Sequence, residues 1–178
     1  MTPPHNVKRL SGLAKAGAII IYPTDTVYGI GCDATNPRAV ARLRKAKQRP
    51  DKPFSVIAPT KKWVRDNCSI DKEAEKWLHK LPGPYTLILK MKRQCVAKNV
   101  STKTLGVRLI SHWFQRVVKK TGKPFVTTSA NVSGRGHGST KKDFALLAPK
   151  VDEVIFDGAL KNKPSQVVDL TRGLVLRR

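Results

Sequence analysis

Four short stretches of this 178-residue chain collect the side chains that chemistry on a small anionic substrate needs. Thr24, Asp25, Thr26 and Tyr28 lie within five residues, just after an apolar run at residues 18–21. Hydroxyls and backbone gathered where a buried strand ends are how α/β proteins hold small ligands. Lys47, Arg49 and Lys52 place three cations within six residues, stiffened by Pro50 and Pro53. A guanidinium fork and an ammonium suit phosphates, and prolines lower the entropy lost when a loop grips its ligand. Ser129 and Asn131, followed by Ser133 and Gly134, offer hydroxyls and an amide after a strand. Arg108 is a lone charge in apolar surroundings, where burial demands a ligand or a counter-charge. Each stretch also has a plainer use: a basic helix end facing the helix dipole, a Ser/Asn-rich turn, or an ion pair of Arg108 with Asp25 or Asp169.

The elements that must position these residues are legible from periodicity and punctuation. Val7, Leu10, Leu13 and Ala14 predict an amphipathic helix over residues 6–16, ended by Gly17. A strand over 18–22 follows, and Tyr22-Pro23 hands it over to a turn that carries the Thr/Gly stretch. Asn36 and Pro37 read as N-cap and first residue of a second helix, which must stop before Pro50. A strand over 54–58 leads to two helices. Thr60 caps the first, and Ala74, Trp77, Leu78 and Leu81 mark the second. Strands are predicted over 85–89, 105–110 and 124–128, with a helix around Trp113 to Val118 that ends near Gly122. Residues 90–103 read as an exposed basic connection, 133–139 as a mobile glycine-rich loop and 143–148 as helical. Late strands are predicted at 154–156, 166–170 and 174–176. Early alternation followed by strands implies an α/β fold with a mixed sheet in one domain, 1–178.

Composition narrows the class of function. Lys and Arg number 35 against 12 Asp and Glu, a formal charge of +23. Such a surface suits solubility, or a polyanionic partner, nucleic acid or nucleotide. Three widely spaced cysteines, with no apolar leader and no span of membrane length, imply a reducing, cytoplasmic setting and no membrane role. No C-x-x-C or H-x-x-H pattern supports a protein metal site. Gly29-x-Gly31-x-x-Ala34 imitates a dinucleotide fingerprint, but the next helix starts only at Asn36-Pro37. No helix N-terminus would then face a pyrophosphate. No P-loop pattern occurs.

The order of motifs over nearly the whole chain adds a resemblance. Pro23-Thr-Asp-Thr-Val-Tyr-Gly, Lys47-x-Arg49-Pro50, Pro82-Gly-Pro-Tyr-Thr-Leu, Gly106-Val-Arg108, Ser129-Ala-Asn131-x-Ser133-Gly134 and Pro164-Ser165-x-Val167-Val168-Asp169 follow one another as in the YrdC-like family. Its members are the threonylcarbamoyl-AMP synthases of tRNA modification. The resemblance implies a twisted mixed sheet with flanking helices around a concave, positively charged cavity. It implies a nucleotidyltransferase that joins L-threonine, bicarbonate (or CO2) and ATP into threonylcarbamoyl-AMP and pyrophosphate, with Mg2+. A transfer complex would then deliver the group to tRNA adenosine at position 37.

Carried over by motif, Thr26, Tyr28, Arg108, Ser129 and Ser165 would form the L-threonine site. Lys47, Arg49, Lys52, Thr104, Asn131, Ser139 and Arg177 would meet ATP, with Lys47 and Arg49 as the catalytic cations. The chain departs from the family pattern at Leu109-Ile110-Ser111-His112-Trp113, where a Pro-containing turn is usual, and at Gln166. It also lacks the usual Arg-x-Gly ending. The competing readings are a non-catalytic paralogue that binds tRNA or double-stranded RNA on a basic concave face, and a carbamoyl-transfer module of hydrogenase maturation.

Overall fold

A computed structural model of the chain describes residues 6–131, 141–160 and 162–176. The expectations for Ser133, Gly134, Ser139 and Arg177 lie outside these residues. Fourteen helices and strands follow in order: α1 (Val7–Lys15), β1 (Ile20–Tyr22), β2 (Gly29–Gly31), α2 (Pro37–Lys47), β3 (Ser55–Ile57), α3 (Lys61–Asn67), α4 (Lys72–His79), β4 (Tyr85–Lys90), β5 (Thr104–Arg108), α5 (Gln115–Thr121), β6 (Phe125–Ser129), β7 (Glu153–Val154), β8 (Gln166–Asp169) and β9 (Leu174–Leu176). The strands form one mixed sheet in the order β7-β1-β2-β6-β3-β5-β4-β8-β9. β3 and β5 pair in parallel, as do β4 and β8, while β6 runs antiparallel to both β2 and β3.

The caps explain the helix bounds. Asn6, Asn36, Thr60 and Asp71 each accept from an amide of the following turn, satisfying donors that the helix leaves free. α2 ends where Gln48 adopts a left-handed conformation, φ 53°, and turns the chain into the loop of Arg49 and Lys52.

Alternation along the strands sends neighbouring residues to opposite faces of the sheet. Val56, Leu87, Val107 and Val126 enter a core with Leu43, Val64 and Leu78 from α2, α3 and α4. Ile20, Tyr22, Ile57 and Phe125 enter a second core with Leu10, Phe114, Val117 and Val118, on and just before the helices α1 and α5. On this second face the sequence changes character along each strand. Ile57 gives way to Ser55 on β3, and Phe125 to Thr127 and Ser129 on β6. The helices cover the apolar end, and the polar end is left for a site.

Three expectations are corrected. The Thr/Gly stretch is not all loop, because residues 29–31 form β2 inside the sheet. Its glycines are there for packing. A Cβ on Gly31 would stand 1.6 Å from the Val126 carbonyl oxygen, and one on Gly29 would stand 2.8 Å from the Tyr22 ring. The basic connection after β4 is not simply exposed, since Met91, Val96 and Val100 are buried. The helix expected over 143–148 is two short 3-10 turns, Lys141–Phe144 and Ala148–Lys150.

Candidate active site

The polar end of the second face is a cleft of about 60 Å³, room for a few water-sized groups and so for a small polar molecule. Thr24, Val27, Tyr28, Ser55, Thr86, Arg108, Thr127, Thr128, Ser129, Pro164 and Ser165 line it. With Gly29 of β2 it draws on five strands, on the turn after β1 and on the segment just before β8.

Arg108 is its charged floor. The residue is 6 % exposed. Nη2 donates to Asp25 Oδ1 at 2.7 Å, and Nη1 and Nη2 both reach Thr26 Oγ1 at 3.3 Å. Asp25 Oδ2 in turn accepts from the Ser111 amide at 3.2 Å. Of the two readings of Arg108, the ion pair with Asp25 is present, and the guanidinium still faces the cleft. Its Nε is buried and has no hydrogen-bond partner among the described residues. Burial lowers its pKa, and Asp25 opposes that shift.

Thr26 is tied to Thr24 and to Arg108. Thr24 Oγ1 donates to the Val27 carbonyl at 2.7 Å, so in the 3.0 Å contact between the two hydroxyls Thr26 must be the donor. With its proton on Thr24 and its lone pairs toward Arg108, Thr26 is 1 % exposed and does not line the cleft. It backs Arg108 instead. Tyr28 lines the cleft, but its hydroxyl donates to the Gly158 carbonyl at 2.6 Å and accepts from the Asp157 amide at 2.9 Å. Its ring stacks on Phe156. Burial raises its pKa.

Ser165 and Ser129 both lie on the cleft wall. Ser165 Oγ shares a 2.9 Å hydrogen bond with Thr86 Oγ1, and Ser129 Oγ donates to Asn131 Oδ1 at 2.6 Å. Thr86 and Ser55 were missed. Thr86 was hidden inside the apolar run of β4, where strict alternation puts it on the face opposite Leu87. Ser55 sits opposite Gly106, whose Cβ would approach Ser55 Oγ to 2.4 Å. A glycine beside an arginine in a strand was the available signal.

Lys47 lies under the turn that follows β6. It is 1 % exposed, and its ammonium donates to the carbonyls of Ser129 and Asn131, with Asn131 Oδ1 at 3.4 Å. Its donors are spent on fixing the turn after β6. Burial, and then the Arg49 charge, pull its pKa down to about 7. Arg49 Nη2 donates to the Pro53 carbonyl at 2.8 Å, and Nη1 reaches Thr128 Oγ1, a cleft residue, at 3.5 Å. Lys52 is exposed at the same loop. Thr104 shares a face with Gly106 and Arg108, but four residues of strand put it roughly 13 Å from Arg108. It is not in the cleft wall.

Residues 13–178 match the family Sua5_yciO_yrdC, described as Telomere recombination. A threonylcarbamoyl-AMP synthase of Stutzerimonas stutzeri is 32% identical over 183 residues, covering 96% of this chain and 96% of that protein. The structure of P. abyssi Sua5 complexed with L-threonine superposes with a TM-score of 0.85 at 28% identity, covering 93% of this chain and 51% of that one, so the chain spans about half of it. E. coli YciO gives a TM-score of 0.85 at 27% identity, with 97% and 88% covered. No helix among the described residues is long and apolar enough to cross a membrane. The match over residues 13–178 and the close superposition on solved relatives show that the chain belongs to the Sua5/YciO/YrdC family.

Proposed function

We propose that the chain is an L-threonylcarbamoyl-AMP synthase, a nucleotidyltransferase that makes threonylcarbamoyl-AMP for modification of tRNA adenosine at position 37. The observation that carries this reading is Arg108, nine-tenths buried, at the floor of a small cleft walled by Ser129, Ser165, Thr86 and Thr24. A guanidinium there takes the carboxylate of an amino acid, and the hydroxyls take its amine and side-chain oxygen. A P. abyssi relative with the same fold carries L-threonine. A surface polyanion has no use for a guanidinium so deeply placed, which disfavours a purely RNA-binding role.

In the reaction the free threonine amine adds to CO2, loses a proton and becomes a carbamate. A carbamate oxygen attacks the α-phosphorus of ATP, the bond to the β-phosphate oxygen breaks, and pyrophosphate leaves. In-line displacement at phosphorus needs positioning and charge stabilisation more than a protein nucleophile. Arg108 fixes the carboxylate, with Thr26 and Asp25 holding Arg108. Arg49 and Lys52 face the phosphates, and Lys47 fixes Ser129 and Asn131 next to them. Thr104, Ser139 and Arg177 remain assigned to the nucleotide by motif.

No cluster of three or more His, Cys, Asp or Glu side chains occurs among the described residues. Asp25, near the cleft, is committed to Arg108. These residues do not form a resident metal site, and Mg2+ belongs to the substrate, as the counter-ion of the ATP phosphates. A transfer complex and tRNA would take the product onward, in the cytoplasm.

The test is incubation of the purified protein with ATP, bicarbonate and L-threonine, following pyrophosphate and the adenylate by chromatography and mass. Threonine-dependent formation of both products is expected. Nucleotide binding without product overturns the synthase assignment.

A further inference from the structure

Arg44 has no part in the chemistry above, yet it makes four hydrogen bonds to three carbonyls around the Arg49 loop. It lies on α2, one turn before Lys47. Nε and Nη2 donate to the Asn99 carbonyl at 2.9 and 2.7 Å, and Nη1 donates to the carbonyls of Arg49 at 2.9 Å and Lys52 at 3.1 Å. Its guanidinium stands 4.5 Å from the Phe54 ring centroid, and that of Arg49 stands 5.1 Å from the same centroid. Burial lowers its pKa.

The two loop carbonyls that Arg44 takes belong to the residues just before Pro50 and Pro53. Neither proline has an amide hydrogen to donate. After the Arg49 amide, which bonds to the Arg44 carbonyl, the next backbone amide bond described is that of Phe54 to Val100. The loop between lacks a backbone ladder among the described residues, and guanidinium-to-carbonyl bonds take its place. We propose that Arg44 is the positioning residue of this loop, presetting Arg49 and Lys52 at the spacing that a nucleotide's phosphates require. The inference rests on the nucleotide reading of the loop.

Arginine is needed for geometry and not only for charge. A planar fork reaches three carbonyls on two segments at once and stacks on a ring, whereas an ammonium is a point donor. Without the fork the loop must be ordered at the moment of binding, and affinity falls by that cost.

The experiment uses the full chain with Arg44→Lys and Arg44→Gln. ATP and L-threonine binding are each measured by calorimetry, alongside KM and kcat for both substrates. The expected result is a rise of about tenfold or more in Kd and KM for ATP, equivalent to about 1.4 kcal/mol, with the threonine Kd unchanged. Arg44→Lys should rescue little of it. If Arg44→Gln fails to fold, Arg44→Lys, which keeps the charge and the stem, carries the test alone. Wild-type ATP affinity in a folded variant, even one with a lowered melting temperature, overturns the proposal and leaves Arg44 a structural residue. So does absence of ATP binding by the wild type. A wild type that binds ATP without forming adenylate sinks the synthase reading instead, and the Arg44 comparison still stands on nucleotide binding.

Discussion

Arg108→Gln tests the site at its charged floor, but alone it confounds two effects. The side chains of Arg108 and Asp25 are 7% and 12% exposed and 2.7 Å apart. Removing one partner of such a pair strands the other charge, at a cost of about 3–5 kcal/mol. For a domain of this size that lowers the melting temperature by roughly 6–20 °C, and weak threonine binding could then be blamed on a damaged fold. Asp25→Asn/Arg108→Gln separates the two. With both charges gone the stability penalty should largely vanish, since a buried pair replaced by neutral groups is often close to neutral. Threonine binding should not return. A hydrogen bond to a charged group contributes about 1.5–3 kcal/mol, so losing Arg108 should weaken threonine by roughly tenfold to a hundredfold in both variants. The assays are thermal melting, and calorimetry with L-threonine in the absence of ATP. A double variant that melts near wild type and keeps wild-type threonine affinity would refute the assignment of Arg108 to the carboxylate.

Gly31→Ala should prevent folding or sharply lower the melting temperature, because its Cβ would meet the Val126 carbonyl at 1.6 Å inside the sheet; a variant that melts like wild type contradicts the packing argument. The Lys47 pKa of about 7 lies below its unfolded value of 10.5, so between those pH values the unfolded chain binds the extra proton and stability attributable to Lys47 rises with pH. The stability of wild type minus that of Lys47→Met should therefore climb from pH 7 toward 10.5 in denaturant titrations, and a flat difference would count against a buried, neutralised lysine. Iodoacetamide at pH 8 should label Cys95, which is half-buried, well before Cys32 and Cys68, whose thiols burial pushes up to about 12. Peptide mapping that finds Cys32 modified first would contradict the core described here.

What was legible in the sequence was what local chemistry dictates. Asn36-Pro37 and Thr60 cap helices because a side-chain oxygen beside free amides has few other uses. Arg108 announced itself by being charged in an apolar strand, and Asp25 was one of its two expected partners. What escaped was fixed by packing between distant segments. β2 reads as a turn because the two glycines, Gly29 and Gly31, have poor strand propensity, and only the Val126 carbonyl and the Tyr22 ring explain why nothing larger fits. Lys47 reads as a phosphate ligand because its motif holds cations, and its hold on the turn after β6 leaves no local trace. Its carbonyl partners lie more than eighty residues away. Arg44 stands in the sequence only as one member of the basic run 42–47, since its partners belong to one loop five to eight residues on and to Asn99.

The same alternation that builds the second core also builds the site. Phe125, Thr127 and Ser129 point to one face of β6, as Ile57 and Ser55 do on β3, and the switch from apolar to hydroxyl occurs where the cover of α1 and α5 ends. The cleft is therefore an uncovered extension of a core layer, and its floor is as buried as the core itself. Two consequences follow. The residues that shape it, Gly106 against Ser55, Thr26 behind Arg108 and Lys47 under Ser129, need not touch substrate to matter, because each fixes one that lines the cleft. Single substitutions there must also change stability together with binding, since every partner left behind is a buried polar group without its match. Function at this site is separable from folding only through paired changes that remove both members of an interaction, and on that ground the Arg108–Asp25 pair is the sharpest place to begin.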